Sequence, residues 1–137
     1  MKIKFTMLLA AAFAVTALAD DPKPAALPPA STKTGVTFAK DIKPIFDASC
    51  VKCHDSQKKK QGAKLSLDTL AGVLKGSRDG AVVKPGDSAH SDLVLSVAHV
   101  GDDPDSFMPK APRGQTAKKL SDEQIGLIRA WIDQGAK

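Results

Sequence analysis

Two cysteines and a histidine lie close together near the middle of the chain, in the run Cys50-Val51-Lys52-Cys53-His54, and the chain has no other cysteine. The order C-x-x-C-H is typical of covalent haem attachment, in which two thiols reach two vinyl groups along one porphyrin edge. The histidine that follows can then reach the iron from one face. The motif therefore predicts one covalently bound haem c, attached at Cys50 and Cys53, with His54 as an iron ligand.

Other uses of this motif fit the rest of the chain less well. A dithiol redox motif is expected beside a strand and a helix, and the chain has no convincing strand pattern. A zinc site would need two further ligands at suitable spacing, and His90 and His99 are nine residues apart. A disulfide between Cys50 and Cys53 would leave His54 without a role.

A second ligand is suggested by the distribution of methionine. Met1 and Met7 lie in the leading segment, which leaves Met108 as the single methionine after it, in the run Phe107-Met108-Pro109. A residue before proline is pushed toward an extended conformation, so this loop can hold a thioether against a metal. Two alternatives stay open: His99 could be the axial ligand, or Met108 could simply fill an apolar gap.

From residue 36 to residue 76, the sequence pattern predicts helices and no strands. Apolar residues at three- and four-residue intervals indicate a helix that starts near Thr37 and runs into Cys50: Phe38, Ile42, Ile45 and Phe46. A short helix is expected over residues 69–75, capped by Asp68 and ended by Gly76.

The second half predicts two more helices. A turn at residues 84–87 precedes a helix over about residues 89–98, capped by Asp87 or Ser88. The last helix opens on a capping box of Ser121 and Gln124. Its buried stripe is Ile125, Ile128, Trp131 and Ile132. Trp131 is expected in the core, with hydrogen bonding to a haem propionate as an alternative; Arg78 and Arg113 are further candidates for the propionates.

The N-terminal region predicts export. Lys2 and Lys4 precede an apolar run and a small-residue cleavage site at Ala17-Leu18-Ala19, which together indicate a signal peptide over residues 1–19. The apolar run is shorter than the roughly 20 residues that span a bilayer, so no stable membrane insertion is expected. Residues 20–35 are proline-rich and predict a flexible tether, with an ordered arm as the alternative. The folded domain is expected over residues 36–137. We expect the protein to be periplasmic or secreted.

The charge of +5 is unevenly spread. Residues 36–64 carry seven lysines against three aspartates, and residues 110–119 carry four basic residues and no acid. A basic rim of this kind favours redox partner proteins with acidic docking surfaces. Aromatic residues are not interleaved with the basic ones, so no nucleic-acid partner is expected.

The chain resembles the small single-haem cytochrome c domains of planctomycete and related bacteria. The matching runs are FAKDIKPIFDASCVKCH, LSLD, KPGD, FMPK and LSDEQIGLIRAWIDQGA, in that order between Phe38 and Ala136. The resemblance implies the all-α class I cytochrome c fold, with three to four helices around the haem and the first and last helices crossing. It also implies Cys50 and Cys53 as thioether sites, with His54 and Met108 as the proximal and distal ligands.

Two positions depart from the family pattern. Lys110 follows Pro109, where such loops often have a second proline, and no proline follows His54 until Pro85. Many class I cytochromes use a proline carbonyl to support the proximal histidine, so the acceptor for His54 is unassigned.

The expected function is electron transfer in the periplasm by a one-electron carrier with a single haem c, and not catalysis. A haem with both axial positions filled has no open site for a substrate. The alternative is a haem peroxidase, or a gas or redox sensor, with a labile distal ligand. In a peroxidase, His99 or Arg113 would handle protons.

Overall fold

The structure, a computed structural model, describes residues 27–58, 62–116 and 118–137. The signal peptide predicted over residues 1–19 lies outside them. The described residues form four α-helices and no β-strand, only an isolated bridge between Ser77 and Gly80. The helices are α1 (Lys43–Ser49), α2 (Leu70–Lys75), α3 (Asp92–Ala98) and α4 (Asp122–Asp133). The prediction of an all-α fold is therefore confirmed.

The first helix begins with a π-helical turn, Phe38–Ile42, which continues directly into α1. The predicted apolar stripe is buried, and Pro44 lies in the first turn of α1, directly after the π-helical turn. The helix ends at Ser49, so Cys50 is the residue that caps it.

The first and last helices pack together through their aromatic residues. The ring centroid of Phe38 lies 5.8 Å from that of Trp131 and 6.1 Å from that of Phe46. The backbone N–H of Phe38 and the indole N–H of Trp131 both donate to the carbonyl of Lys137, at 3.1 and 2.9 Å. Trp131 is fully buried, as predicted, and its N–H already has a partner within the protein, which removes the alternative role at a propionate.

Helix α4 is the element that the sequence predicts best. The capping box of Ser121 and Gln124 is present in both directions. The predicted stripe is fully buried: Ile125, Ile128, Trp131 and Ile132. One amphipathic face with a satisfied N-terminus is enough to specify this helix locally.

The cap of α2 differs from the prediction. Thr69, not Asp68, is the N-cap, and its side chain accepts a hydrogen bond from the N–H of Gly72 at 3.1 Å. Asp68 instead accepts hydrogen bonds from Ser56. Gly76 ends the helix with φ of +82°, a conformation that favours glycine, as predicted.

Helix α3 is shorter than predicted. Asp87 caps a 3₁₀ turn, Ser88–His90, as one of the two expected caps, but Ser91 is extended and α3 begins only at Asp92. Buried Ser88 donates its N–H and hydroxyl to the two carboxylate oxygens of Asp133, at 2.8 and 3.0 Å. These two hydrogen bonds attach the 3₁₀ turn that precedes α3 to the end of α4.

Residues 27–35, part of the predicted flexible tether, are held along α4. Arg129 donates to the carbonyl of Pro28, and Ser31 donates its N–H to the carbonyl of Gly126 at 2.8 Å. A Cβ at Gly126 would lie 2.7 Å from the carbonyl oxygen of Pro29, so only glycine allows this approach. The expectation of no fixed structure is wrong for these residues, and the alternative of an ordered arm is the one observed.

Among the residues that the structure describes, no helix is both long and apolar enough to cross a membrane.

Candidate functional site

The cysteine motif forms a tight turn at the end of α1. Cys50 and Val51 both donate their N–H groups to the carbonyl of Phe46, at 2.8 and 3.0 Å. Cys53 and His54 donate theirs to the carbonyl of Cys50, at 3.1 and 3.0 Å. The turn leaves Cys53 exposed and Cys50 half-buried, while the imidazole of His54 is buried. The three side chains are therefore presented from one compact turn.

The support for the His54 ring comes from Leu65. The Nδ1 atom of His54 lies 3.3 Å from the carbonyl oxygen of Leu65, and the carbonyl of His54 accepts the N–H of Leu67 at 2.8 Å. A carbonyl can only accept, so Nδ1 carries the proton and Nε2 keeps the lone pair that an iron ligand needs. Leu65 thus supplies the acceptor that the sequence left unassigned.

A glycine packs directly against the His54 ring. A Cβ at Gly62 would lie 2.9 Å from Cε1 of His54, closer than a real side chain allows. The N–H of Gly62 also donates to the carbonyl of Cys53 at 3.2 Å. Nothing in the polar, lysine-rich run around Gly62 indicated this role, because the approach joins residues eight positions apart through the fold.

The chain after the motif is tied back by Asp68. Its carboxylate accepts the N–H of Ser56 at 3.0 Å and the Ser56 hydroxyl at 2.5 Å. The hydrogen bond from the Ser56 hydroxyl is the main cause that lowers the pKa of Asp68 below its usual value. Together with the contacts of Leu65 and Leu67, this bond holds the loop beside His54 on two sides.

The two thiols do not have the character of a redox dithiol. Both cysteines are free, and burial raises the pKa of Cys50 to about 11. Reactive C-x-x-C thiols have lowered pKa values, which is the opposite direction. Among the described residues, no group of three or more His, Cys, Asp and Glu side chains could hold a metal ion, so a zinc site has no support there either.

Met108 is anchored to the C-terminal end of α3. Its side chain is half-buried and packs against the core, and its N–H donates to the carbonyl of Ser96 at 3.0 Å. Its own carbonyl lies 3.0 Å from Nε2 of His99. The peptide bond between Met108 and Pro109 is cis. The methionine is therefore held by its backbone on both sides, as a ligand loop requires.

The side chains of the other sequence candidates are exposed, although the backbone N–H of Arg78 donates to the carbonyl of Ala63, beside Gly62, at 2.9 Å. His90 is exposed and its ring pairs with Asp87, which agrees with a solvated histidine. Arg78 and Arg113 are both exposed, and Arg78 pairs with its neighbour Asp79.

A surface cleft joins the neighbourhoods of the motif and the methionine. It is lined by Ser49, which precedes Cys50, by Pro109, which follows Met108, and by Lys118 and Lys119. The fold thus brings the two predicted ligand segments and part of the second basic segment to one side of the molecule.

The residues present fit a haem c. His54 has a correctly oriented ring with Nε2 available, the two free thiols flank the preceding turn, and apolar Leu65 and Leu67 are buried next to it. Cys50, Cys53 and His54 would hold the group from one side, and Met108 would approach from its own loop. This donor set is the one that haem c uses in proteins.

The all-α fold and this site are those expected of a cytochrome c domain. Residues 50–112, from Cys50 through the methionine loop, match a protein-family model described as planctomycete cytochrome C. Over these residues the chain is therefore similar to the planctomycete cytochrome c family, and this similarity supports a haem c protein.

No curated protein matches the chain. Among solved structures, it is similar to a chain of the Kuenenia stuttgartiensis hydrazine synthase, with 27% sequence identity and a TM-score of 0.48. That similarity covers 74% of this chain and 16% of the other, so the chain spans about a sixth of the length of that protein.

The contact between Gly62 and His54 gives a direct test of the site. Gly62→Ala should push the imidazole away from the carbonyl of Leu65, lower the free energy of unfolding by about 1–3 kcal/mol and raise the haem reduction potential. The potential rises because a histidine without this hydrogen bond donates less electron density to the iron. Urea unfolding and redox titration of the haem-loaded protein measure both quantities.

Ala63→Gly is the matched control for this test. Ala63 lies in the same turn with φ of +50°, where glycine relieves strain and touches no ring. If both variants leave the potential at the wild-type value, the close packing of Gly62 on His54 is wrong.

Proposed function

We propose that this protein is an exported one-electron carrier with a single haem c, ligated by His54 and Met108, and that it is not an enzyme. When bound, haem c supplies a one-electron redox change at its iron. The observation that carries the proposal is that the two candidate ligands are each held by backbone hydrogen bonds on separate segments, with Leu65 behind His54 and Ser96 behind Met108.

The residues around the site support a role in electron transfer. A carrier needs rigid ligands, because a small change in geometry between redox states keeps transfer fast. His54 is fixed by Leu65, and its loop is tied by Asp68 to Ser56. A haem peroxidase site would instead need a vacant coordination position and a proton-handling side chain beside it. His99, a proton-handling side chain beside Met108, is engaged with the Met108 carbonyl.

Localisation follows from the same proposal. Cytochrome c domains are typically exported, and the signal peptide expected over residues 1–19 would direct this one to the periplasm or the outside of the cell. Covalent haem attachment at Cys50 and Cys53 would take place there.

The partner that we propose is a redox protein with an acidic docking surface. Lys118 and Lys119 line the cleft between Ser49 and Pro109, and Lys52 is exposed within the attachment motif. Positive charges at this edge would steer an acidic partner toward the cofactor.

This surface predicts salt-dependent association. The rate of electron transfer from an acidic donor protein should fall steeply as ionic strength rises, since the Debye length shortens to about 8 Å at 0.15 M salt. Stopped-flow mixing at several salt concentrations measures the rate. A rate that does not depend on salt, with an acidic donor, would contradict the proposed docking surface.

Replacing Met108 tests the ligand assignment. The ferric wild-type protein should be low-spin and show the weak long-wavelength sulfur–iron band. Met108→Ala should abolish this band and lower the reduction potential, because a thioether ligand raises it. Absorption spectra and redox titration measure both effects.

Val100→Ala is the control for this substitution. Val100 is a half-buried apolar residue that packs against the core near the same loop and carries no ligand atom. It should keep both the band and the potential. If Met108→Ala keeps them too, Met108 is not the ligand and the proposed coordination fails.

A further inference from the structure

His99 is placed where it can control the loop that carries Met108. The N–H of Met108 donates to the carbonyl of Ser96, and the Met108 carbonyl lies 3.0 Å from Nε2 of His99. Ser96 and His99 belong to the last turn of α3 and its cap. Both backbone polar groups of Met108 are thus fastened to the same helix end.

The chemistry of the two atoms fixes the direction of the second bond. A backbone carbonyl has no proton to give, so Nε2 of His99 must be the donor. A donor at this position satisfies the carbonyl of Met108 and leaves the thioether sulfur available.

The His99 ring makes a second contact with the same loop. It stacks on the ring of Phe107, with centroids 4.9 Å apart and planes inclined by 5°. Phe107 directly precedes Met108. One imidazole therefore binds two consecutive residues of the loop, one through its face and the other through its edge.

The backbone of His99 points to a role for the side chain. His99 caps α3 in the left-handed conformation, with φ of +56° and ψ of +45°. Glycine is the residue best suited to such a cap, since a Cβ is disfavoured there. A histidine at this position weakens the cap, and its ring contacts with the loop offset that loss.

We propose that His99 is a positioning residue that keeps the Met108 loop closed. The inference rests on the proposed function, in which Met108 is the distal ligand of the haem. His99 does not ligate; its contacts lower the free energy of the closed state relative to the open state, in which the thioether leaves and an external ligand can enter. The histidine thereby helps to keep this haem closed to small molecules.

The experiment compares His99→Gly with wild type in the haem-loaded full chain. Cyanide is the probe, and its binding rate to the ferric protein reports how often the Met108 loop opens. Losing one hydrogen bond and one ring stack should raise this rate roughly tenfold, by the usual net worth of such contacts. Glycine suits the left-handed cap, so the free energy of unfolding in urea should stay the same or rise.

Two further variants sharpen the comparison. His99→Gln keeps an amide donor that can reach the carbonyl of Met108, so it should restore part of the slow cyanide binding. His90→Gln is the matched control, because His90 is exposed and pairs only with Asp87. It should bind cyanide at the wild-type rate.

The outcomes separate this inference from the proposed function. A wild-type protein without the sulfur–iron band refutes Met108 ligation itself, and with it this role for His99. With the band present, equal cyanide rates in wild type and His99→Gly would overturn the inference alone. A loss of global stability in His99→Gly without a faster cyanide rate would also overturn it, since the ring would then serve the whole fold and not the loop.

Discussion

One short turn carries two thiols and an imidazole, and all three must reach the same group. The rest of the structure depends on this constraint. Cys50, Cys53 and His54 lie at the C-terminal end of α1. Their backbone N–H groups donate hydrogen bonds to the carbonyls of Phe46 and Cys50. Within the turn, these few hydrogen bonds are the only stabilising interactions that the structure describes. Its geometry is therefore maintained by what packs behind it, which is the loop that carries Gly62 and Leu65.

That loop supplies the interaction on which the proximal side depends. The carbonyl of Leu65 orients the imidazole of His54 and fixes its tautomer, and Gly62 leaves the space that the ring occupies. Asp68 then ties the loop to Ser56, and the hydrogen bond from the Ser56 hydroxyl lowers the pKa of this carboxylate. The segment that carries Met108 is held in a similar way, through the backbone N–H and carbonyl of Met108. Nε2 of His54 and the sulfur of Met108 are thus left available to coordinate a metal.

The sequence predicted the parts of this fold that depend on local patterns. The stripe of α1, the capping box of α4 and the glycine that ends α2 each follow from residues within one or two turns. The cysteine motif and Met108 were found by residue type and spacing alone, and the family match over residues 50–112 supports a haem c protein.

What the sequence missed depends on residues that meet only in the folded chain. Asp68 looked like a helix cap, but Ser56 competes for its carboxylate, and Thr69 takes the cap. The proline-rich arm looked free, but glycine at position 126 lets it lie against α4. Gly62 and the Leu65 carbonyl carry no sequence signal, because any residue has a carbonyl and many loops contain glycine.

The central claim is a haem c closed on both faces by this chain. Carbon monoxide binding to the ferrous haem-loaded protein tests it most directly, since this ligand needs an open iron position. The account predicts that mixing with carbon monoxide leaves the ferrous spectrum unchanged on the time scale of seconds at neutral pH. Rapid formation of a carbon monoxide complex would contradict it, and would point instead to an open or labile distal side.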